Sequence, residues 1–201
     1  QTLAAGLVLL ELTRTRGAHR LFWREIQIYR NLTALIIKIG VPIGLQTMLI
    51  TLSNIFVQYK INGLGVNAIA AFTAYIKVEL VIFLPIVAFG QAMTTFSAQN
   101  IGAGKIDRMK KGTRVCISMA CALAIFSSVL MLMAGREAFA LFNGDPGVIE
   151  SGLTIIGITF PFYFLYVFGG VLGAAVRGGG NSTPPMLIVI MNICILRTLL
   201  L

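Results

Sequence analysis

The sequence predicts an all-α fold, a polytopic transmembrane helical bundle with four full spans and two partial ones. Three observations predict it. Of the 201 residues, 57% are hydrophobic and 11% charged, with a mean hydropathy of +0.89, against about 25% charged in a typical soluble domain. A water-soluble fold of this size lacks the interior to hide so much apolar surface. Second, the apolar residues form long runs, several reaching the ~20 residues that a helix needs to cross ~30 Å of hydrocarbon. Third, the basic residues behind the net charge of +9 fall in short segments between those runs, as membrane proteins carry charge. A nucleic-acid-binding domain would not be interrupted in this way.

The elements follow in order. Residues 1–12 read as the end of one spanning helix and 13–31 as a basic loop. Full spans follow at 32–59, 68–100, 113–134 and 148–176, and a last partial span begins near Pro184 and runs to the end. Turn signals separate them: Asn62-Gly63 with Gly65, Gly102-Ala103-Gly104, Asn143-Gly144-Asp145-Pro146, and Gly178-Gly179-Gly180-Asn181. Both ends fall inside apolar stretches, so the sequence reads as a fragment of a longer chain.

Orientation follows from Lys and Arg. One set of segments holds Arg14, Arg16, Arg20, Arg24 and Arg30, then Lys105, Arg108, Lys110, Lys111 and Arg114, then Arg177. The segments between them hold only Lys60 and Arg136. The two sets alternate along the chain, so the positive-inside rule places the basic set in the cytoplasm and runs the first full span from inside to outside.

Several residues read as structural. Pro42, Pro85 and Pro161 stand inside spans and mark positions for a kink or hinge. Gly40 with Gly44, and Gly169 with Gly173, are spaced four apart and read as sites of close helix approach. Cys116, Cys121 and Cys194 lie in apolar runs without metal-ligand spacing and read as small hydrophobes. His19, the one histidine, reads as a solvated loop residue. Gly102-Ala103-Gly104-Lys105 follows a helix rather than a strand, so it reads as helix termination and not as a phosphate loop.

The functional candidates are polar groups at membrane depth. Thr47, Thr51, Asn54 and Gln58 share one helix face, and Gln91, Thr94, Thr95 and Gln99 form a similar line; each stripe must face protein or water rather than lipid. Lys77 and Glu79 are the sharpest anomaly. With lipid entry near Ala70, Glu79 lies roughly 14 Å down, near the midplane, where an ionisable group is functional by default. Lys77 is two residues away and points to another side of the helix, so Glu79 needs a partner from a different helix. Arg197 is a further candidate intramembrane charge. No motif of a membrane-embedded enzyme is present, and no cofactor is expected.

The segments around these spans resemble one family. Gln91-Ala92-Met93-Thr94-Thr95-Phe96-Ser97-Ala98-Gln99-Asn100-Ile101-Gly102-Ala103-Gly104-Lys105 resembles a hallmark helix end of the multidrug and toxic compound extrusion (MATE) family. Ile39-Gly40-Val41-Pro42-Ile43-Gly44-Leu45-Gln46 is similar to the opening of each half of its members. The stretch from Ala174 to Met186, with Arg177-Gly178-Gly179-Gly180, looks like its later Arg-Gly-x-Gly segment, and 141–149 fits its outer loop. The resemblance implies twelve helices in two six-helix lobes. It makes 13–31 the cytoplasmic inter-lobe linker and 32–201 an incomplete C-terminal lobe, so the fold is half of a two-lobe transporter. It implies an antiporter in the cytoplasmic membrane, exporting drugs or other small organic compounds against H⁺ or Na⁺ by alternating access. Its partners are then the lipid bilayer, the substrate and the N-terminal lobe of the same chain, with no nucleic acid. Asn54, Gln58, Lys77, Glu79 and Gln91 are the residues expected to line the pathway. In the family a key coupling carboxylate often sits in the first helix of the N-terminal lobe, and the acids that some members carry on the helices matching 32–59 and 148–176 have no counterpart here beyond Glu150 at the outer mouth, so the resemblance implies coupling through this lobe only if Glu79 serves. A lipid-linked oligosaccharide flippase of the same superfamily would need a strongly cationic cavity, and a non-transporting scaffold would not need an intramembrane Lys and Glu.

Overall fold

The computed structural model describes residues 2–15, 22 and 27–197, except the side chains of 194–196. His19, Arg16, Arg20, Arg24 and the Cys194 side chain lie outside the described residues. The chain forms two compact units, 1–37 and 38–201. The first contains α1 (Thr2–Arg14), with no buried residue, and the opening turns of α2 (Arg30–Asn62).

The second unit carries the rest of α2 and then α3 (Val66–Gly102), α4 (Ile106–Met133), a short α5 (Gly135–Ala140), α6 (Pro146–Thr159), a 3-10 turn (Phe160–Phe162), α7 (Tyr163–Gly178), α8 (Thr183–Met191) and a π-helical turn (Asn192–Arg197). Four helical segments are long and apolar enough to cross a membrane: α2, α3, α4 and the run from Pro146 to Gly178. They are the four spans expected from the sequence. The described residues contain no strand.

Each span extends further than its apolar run, because a helix does not end where lipid ends. The basic segment between the second and third spans is therefore mostly not a loop. Arg108, Lys110, Lys111 and Arg114 all lie on α4, where Asp107 in the first turn suits the positive end of the helix dipole. The true connection is Ala103 to Lys105. Gly104 adopts φ +69°, and the Lys105 amide donates to the Asn100 carbonyl at 2.8 Å, closing α3 with a Schellman-type cap. At the other side, the Asp145 carboxylate accepts from the Gly147 amide at 2.7 Å and caps α6 ahead of Pro146.

The core is built by α3, α4, α6 and α7. On α3 the buried residues Val78, Ile82 and Ile86 recur every fourth position, joined by Met93. They meet Ala120 and Ala124 of α4 and Val167, Val171 and Ala174 of α7. Small residues on α4 let the helices approach, as is usual in membrane packing. Cys116 and Cys121 pack at the edge of this core. By contrast α2 buries only Ser53.

The glycines that permit close approach are not the ones the spacing suggested. A Cβ at Gly40, Gly44 or Gly169 would meet nothing within 4 Å, while one at Gly178 would lie 2.4 Å from the Thr94 carbonyl oxygen and one at Gly152 2.2 Å from the Phe139 ring. Spacing reports a capacity for packing; only the neighbour decides whether it is used. A Cβ at Gly173, the other member of its pair, would make ordinary contact with Pro185 at 3.5 Å. The prolines also differ. Helices α2 and α3 run unbroken through Pro42 and Pro85, whereas Pro161 coincides with the 3-10 turn that separates α6 from α7. There the buried Ser128 of α4 donates to the Phe160 carbonyl at 3.1 Å, satisfying backbone at the break.

Candidate functional site

Glu79 sits on α3 five residues before its midpoint at Leu84, about 7.5 Å along the axis. Its partners come from tyrosines. Tyr75, one turn earlier on the same face, donates its hydroxyl to Glu79 Oε1 at 3.1 Å. Tyr163, the first residue of α7, donates to the same oxygen. Among the described residues no donor reaches Oε2. The sequence called for a partner from another helix, and the structure supplies a phenol rather than a cation. A phenol stabilises a carboxylate by hydrogen bonding without introducing a charge of its own.

Packing of α7 against α3 makes this meeting possible. Phe160 and Tyr163, three residues apart, continue the inward face that Ile156 begins and Val167 and Val171 extend, and are 1% and 8% exposed. Phe160 packs edge-on to Tyr163 with ring centroids 5.6 Å apart, and lies 6.3 Å from Tyr75. Tyr163 in turn lies 6.2 Å from Tyr166, and Tyr166 6.0 Å from Phe83. An aromatic arc thus surrounds the carboxylate. Tyr75, Glu79, Phe83, Thr159, Tyr163 and Tyr166 are among the residues that line a cleft of about 290 Å³. Its chemistry is one acceptor-rich carboxylate within π faces, a setting that suits a proton, a metal cation or an organic cation.

A larger cavity of about 490 Å³ shares Tyr166 with that cleft and includes Gln91, Thr94, Thr95 and Arg177 in its wall. Thr94 and Thr95 donate to the carbonyls of Gly90 at 3.0 Å and Gln91 at 3.3 Å on their own helix.

Of the expected pathway residues, Glu79 and Gln91 line these two cavities. Lys77 is exposed on α3 and lines neither cavity. Asn54 accepts from Arg197 at 3.0 Å, and Gln58 donates to Asn62 at 2.9 Å. With Thr47 and Thr51 bonded to the carbonyls of Ile43 and Thr47, the α2 stripe meets its hydrogen-bonding needs largely within its own helix. The residues that sequence reasoning did not single out are Tyr75, Tyr163, Tyr166 and the inward role of Arg177. The spacing of four between Tyr75 and Glu79 was a usable signal; the approach of Tyr163 was not, since it depends on how α7 packs against α3.

Comparison with known proteins gives a consistent result. The MatE family model matches residues 42–201. A probable multidrug resistance protein of Bacillus subtilis (strain 168), YoeA, is 29% identical over 196 residues, covering 96% of this chain and 42% of that protein. A second from the same organism, YpnP, is 27% identical, covering 82% of this chain and 37% of its own length. The crystal structure of a MATE protein in complex with MaL6 superposes with a TM-score of 0.86 at 16% identity, over 96% of this chain and 44% of that one. The chain therefore spans less than half the length of these relatives.

Proposed function

The chain belongs to the MatE family, and from that premise we propose that it is the C-terminal lobe of a cation-coupled exporter of organic compounds in the cytoplasmic membrane. The observation that carries this reading is Glu79, held by Tyr75 and Tyr163 at the wall of a cleft within an apolar span. A carboxylate at membrane depth is costly when ionised, about 2.5–3.5 kcal/mol on insertion scales, and is retained where it does work. Here one oxygen is anchored by two phenols and the other is left to the cleft. The carboxylate takes up H⁺ or Na⁺ in one state and exchanges it for a substrate cation in the other, as the lobes rock about a cavity between them. The aromatic arc accepts a flat cationic substrate, and Gln91 lines the larger cavity beside it. The absent partner is the N-terminal lobe.

The flippase alternative asks for a cationic cavity. Lys77 lies off both cavities, Arg197 is engaged by Asn54, and Arg177 is, among the described residues, the one cation lining either cavity; a single guanidinium falls short of a strongly cationic cavity, so this arrangement does not favour it.

Glu79→Gln in the full-length protein tests the reading, because it keeps shape and hydrogen bonding but removes charge. Efflux of a cationic dye should fall by about tenfold or more and lose its dependence on the H⁺ or Na⁺ gradient. Normal, gradient-dependent efflux at normal expression would make Glu79 structural.

A further inference from the structure

Arg177 stands in the last turn of α7, half-buried, at the cytoplasmic end that the charge pattern assigns. Its side chain does not extend onward to water. It folds back along the helix, so that Nη1 lies 3.5 Å from the position a Cβ would take at Gly173, one turn earlier. The charge thereby enters the wall of the 490 Å³ cavity, opposite no acid: none of the residues lining that cavity is Asp or Glu, and among the described residues no carboxylate pairs with Arg177.

A cation drawn partly out of water without a counter-charge is costly. The other polar groups of the cavity do not supply one. The hydroxyl protons of Thr94 and Thr95 are committed to their own helix, which leaves the guanidinium, the Gln91 amide and the Tyr166 hydroxyl as side-chain donors among the described lining residues. The remaining wall includes Ile39, Ile43, Ile86 and Val87. The volume is in the range of about 300–1,000 Å³ typical of sites for drug-sized molecules.

We propose that this cavity is an acid-recognising subsite, in which Arg177 and Gln91 hold the carboxylate, sulfonate or phosphate of an amphiphilic substrate whose apolar body lies on the isoleucines. It rests on the export reading above and extends it: the substrate class then includes molecules bearing an acidic group, a feature that the Glu79 cleft alone would repel. Tyr166 lines both cavities, so a zwitterion can address Glu79 with its base and Arg177 with its acid.

The test uses the full-length protein in phosphatidylcholine vesicles and two probes, a cationic xanthene dye with a free carboxylate and the methyl ester of the same dye. Arg177→Gln should lower the transport efficiency of the acid by about tenfold, the worth of a charge-assisted hydrogen bond, and that of the ester by less than about twofold. Arg177→Lys should restore a substantial part of the loss for the acid, because it returns the charge but not the fork. Equal losses for both dyes, no loss for either, or a parent protein that carries the ester but not the acid would each overturn the subsite. Adding phosphatidylglycerol should leave the preference of the parent unchanged. If the preference disappears, Arg177 serves a lipid phosphate and the assignment fails. A parent protein that carries neither dye overturns the export reading instead.

Discussion

The Tyr163 hydroxyl on α7 donates to the Glu79 carboxylate on α3, joining residues that stand 84 positions apart in the chain. Tyr75 shares the same acceptor oxygen from within α3. The two phenols are chemically alike but structurally unequal. Tyr75 would follow Glu79 if α3 moved, whereas Tyr163 ties α3 to α7.

That inequality gives the first prediction. Tyr163→Phe should lower coupled efflux by about tenfold or more, since a hydrogen bond to a charged group is worth about 1.5–3 kcal/mol. Tyr75→Phe should cost less, about threefold, because one interhelical donor remains. The readout is initial-rate dye efflux driven by an imposed gradient in full-length protein. Equal effects of the two variants would remove the distinction between an intrahelical and an interhelical donor.

Close approach at the α3–α7 crossing gives the second. Gly178→Ala should destabilise the protein by about 1–3 kcal/mol, because the new Cβ would fall 2.4 Å from a backbone oxygen that cannot swing aside. Gly169→Ala, where a Cβ meets nothing within 4 Å, should leave stability unchanged or slightly raised. Thermal unfolding of the two variants in detergent, side by side, decides it. Similar melting temperatures would mean that the crossing is looser than described.

The same crossing carries a hydrogen bond. Ser97, fully buried, donates to the Ala175 carbonyl at 2.7 Å. Ser97→Ala should cost about 0.5–2 kcal/mol, and Ser97→Val more, because it adds bulk where α7 is already in contact. A valine variant as stable as the parent would contradict this packing.

Charge pattern gives the last prediction. Single cysteines at positions 13–31 and 105–111 should resist impermeant thiol reagents added outside intact cells, and a cysteine at Gly144 should react. Ready outside labelling of the basic positions would reverse the topology.

What the sequence determined by itself were the properties that depend on local composition. Apolar run length gave four spans, because the bilayer sets how many residues a helix must have. Gly104 and Asp145 marked real helix ends, because a left-handed φ and an N-cap acceptor are satisfied within a few residues. Glu79 stood out because a carboxylate in such a run is costly whatever surrounds it. Tertiary structure decided everything that depends on which faces meet. It gave Glu79 two tyrosines instead of a cation and left Lys77 exposed outside both cavities. It assigned close packing to Gly178 rather than Gly40, and folded Arg177 back over Gly173 into a cavity. The buried positions Ile156, Phe160, Tyr163, Val167 and Val171 keep helical spacing through the 3-10 turn, so residue spacing can mark an inward face, but which residues of α3 that face meets is fixed only by helix packing.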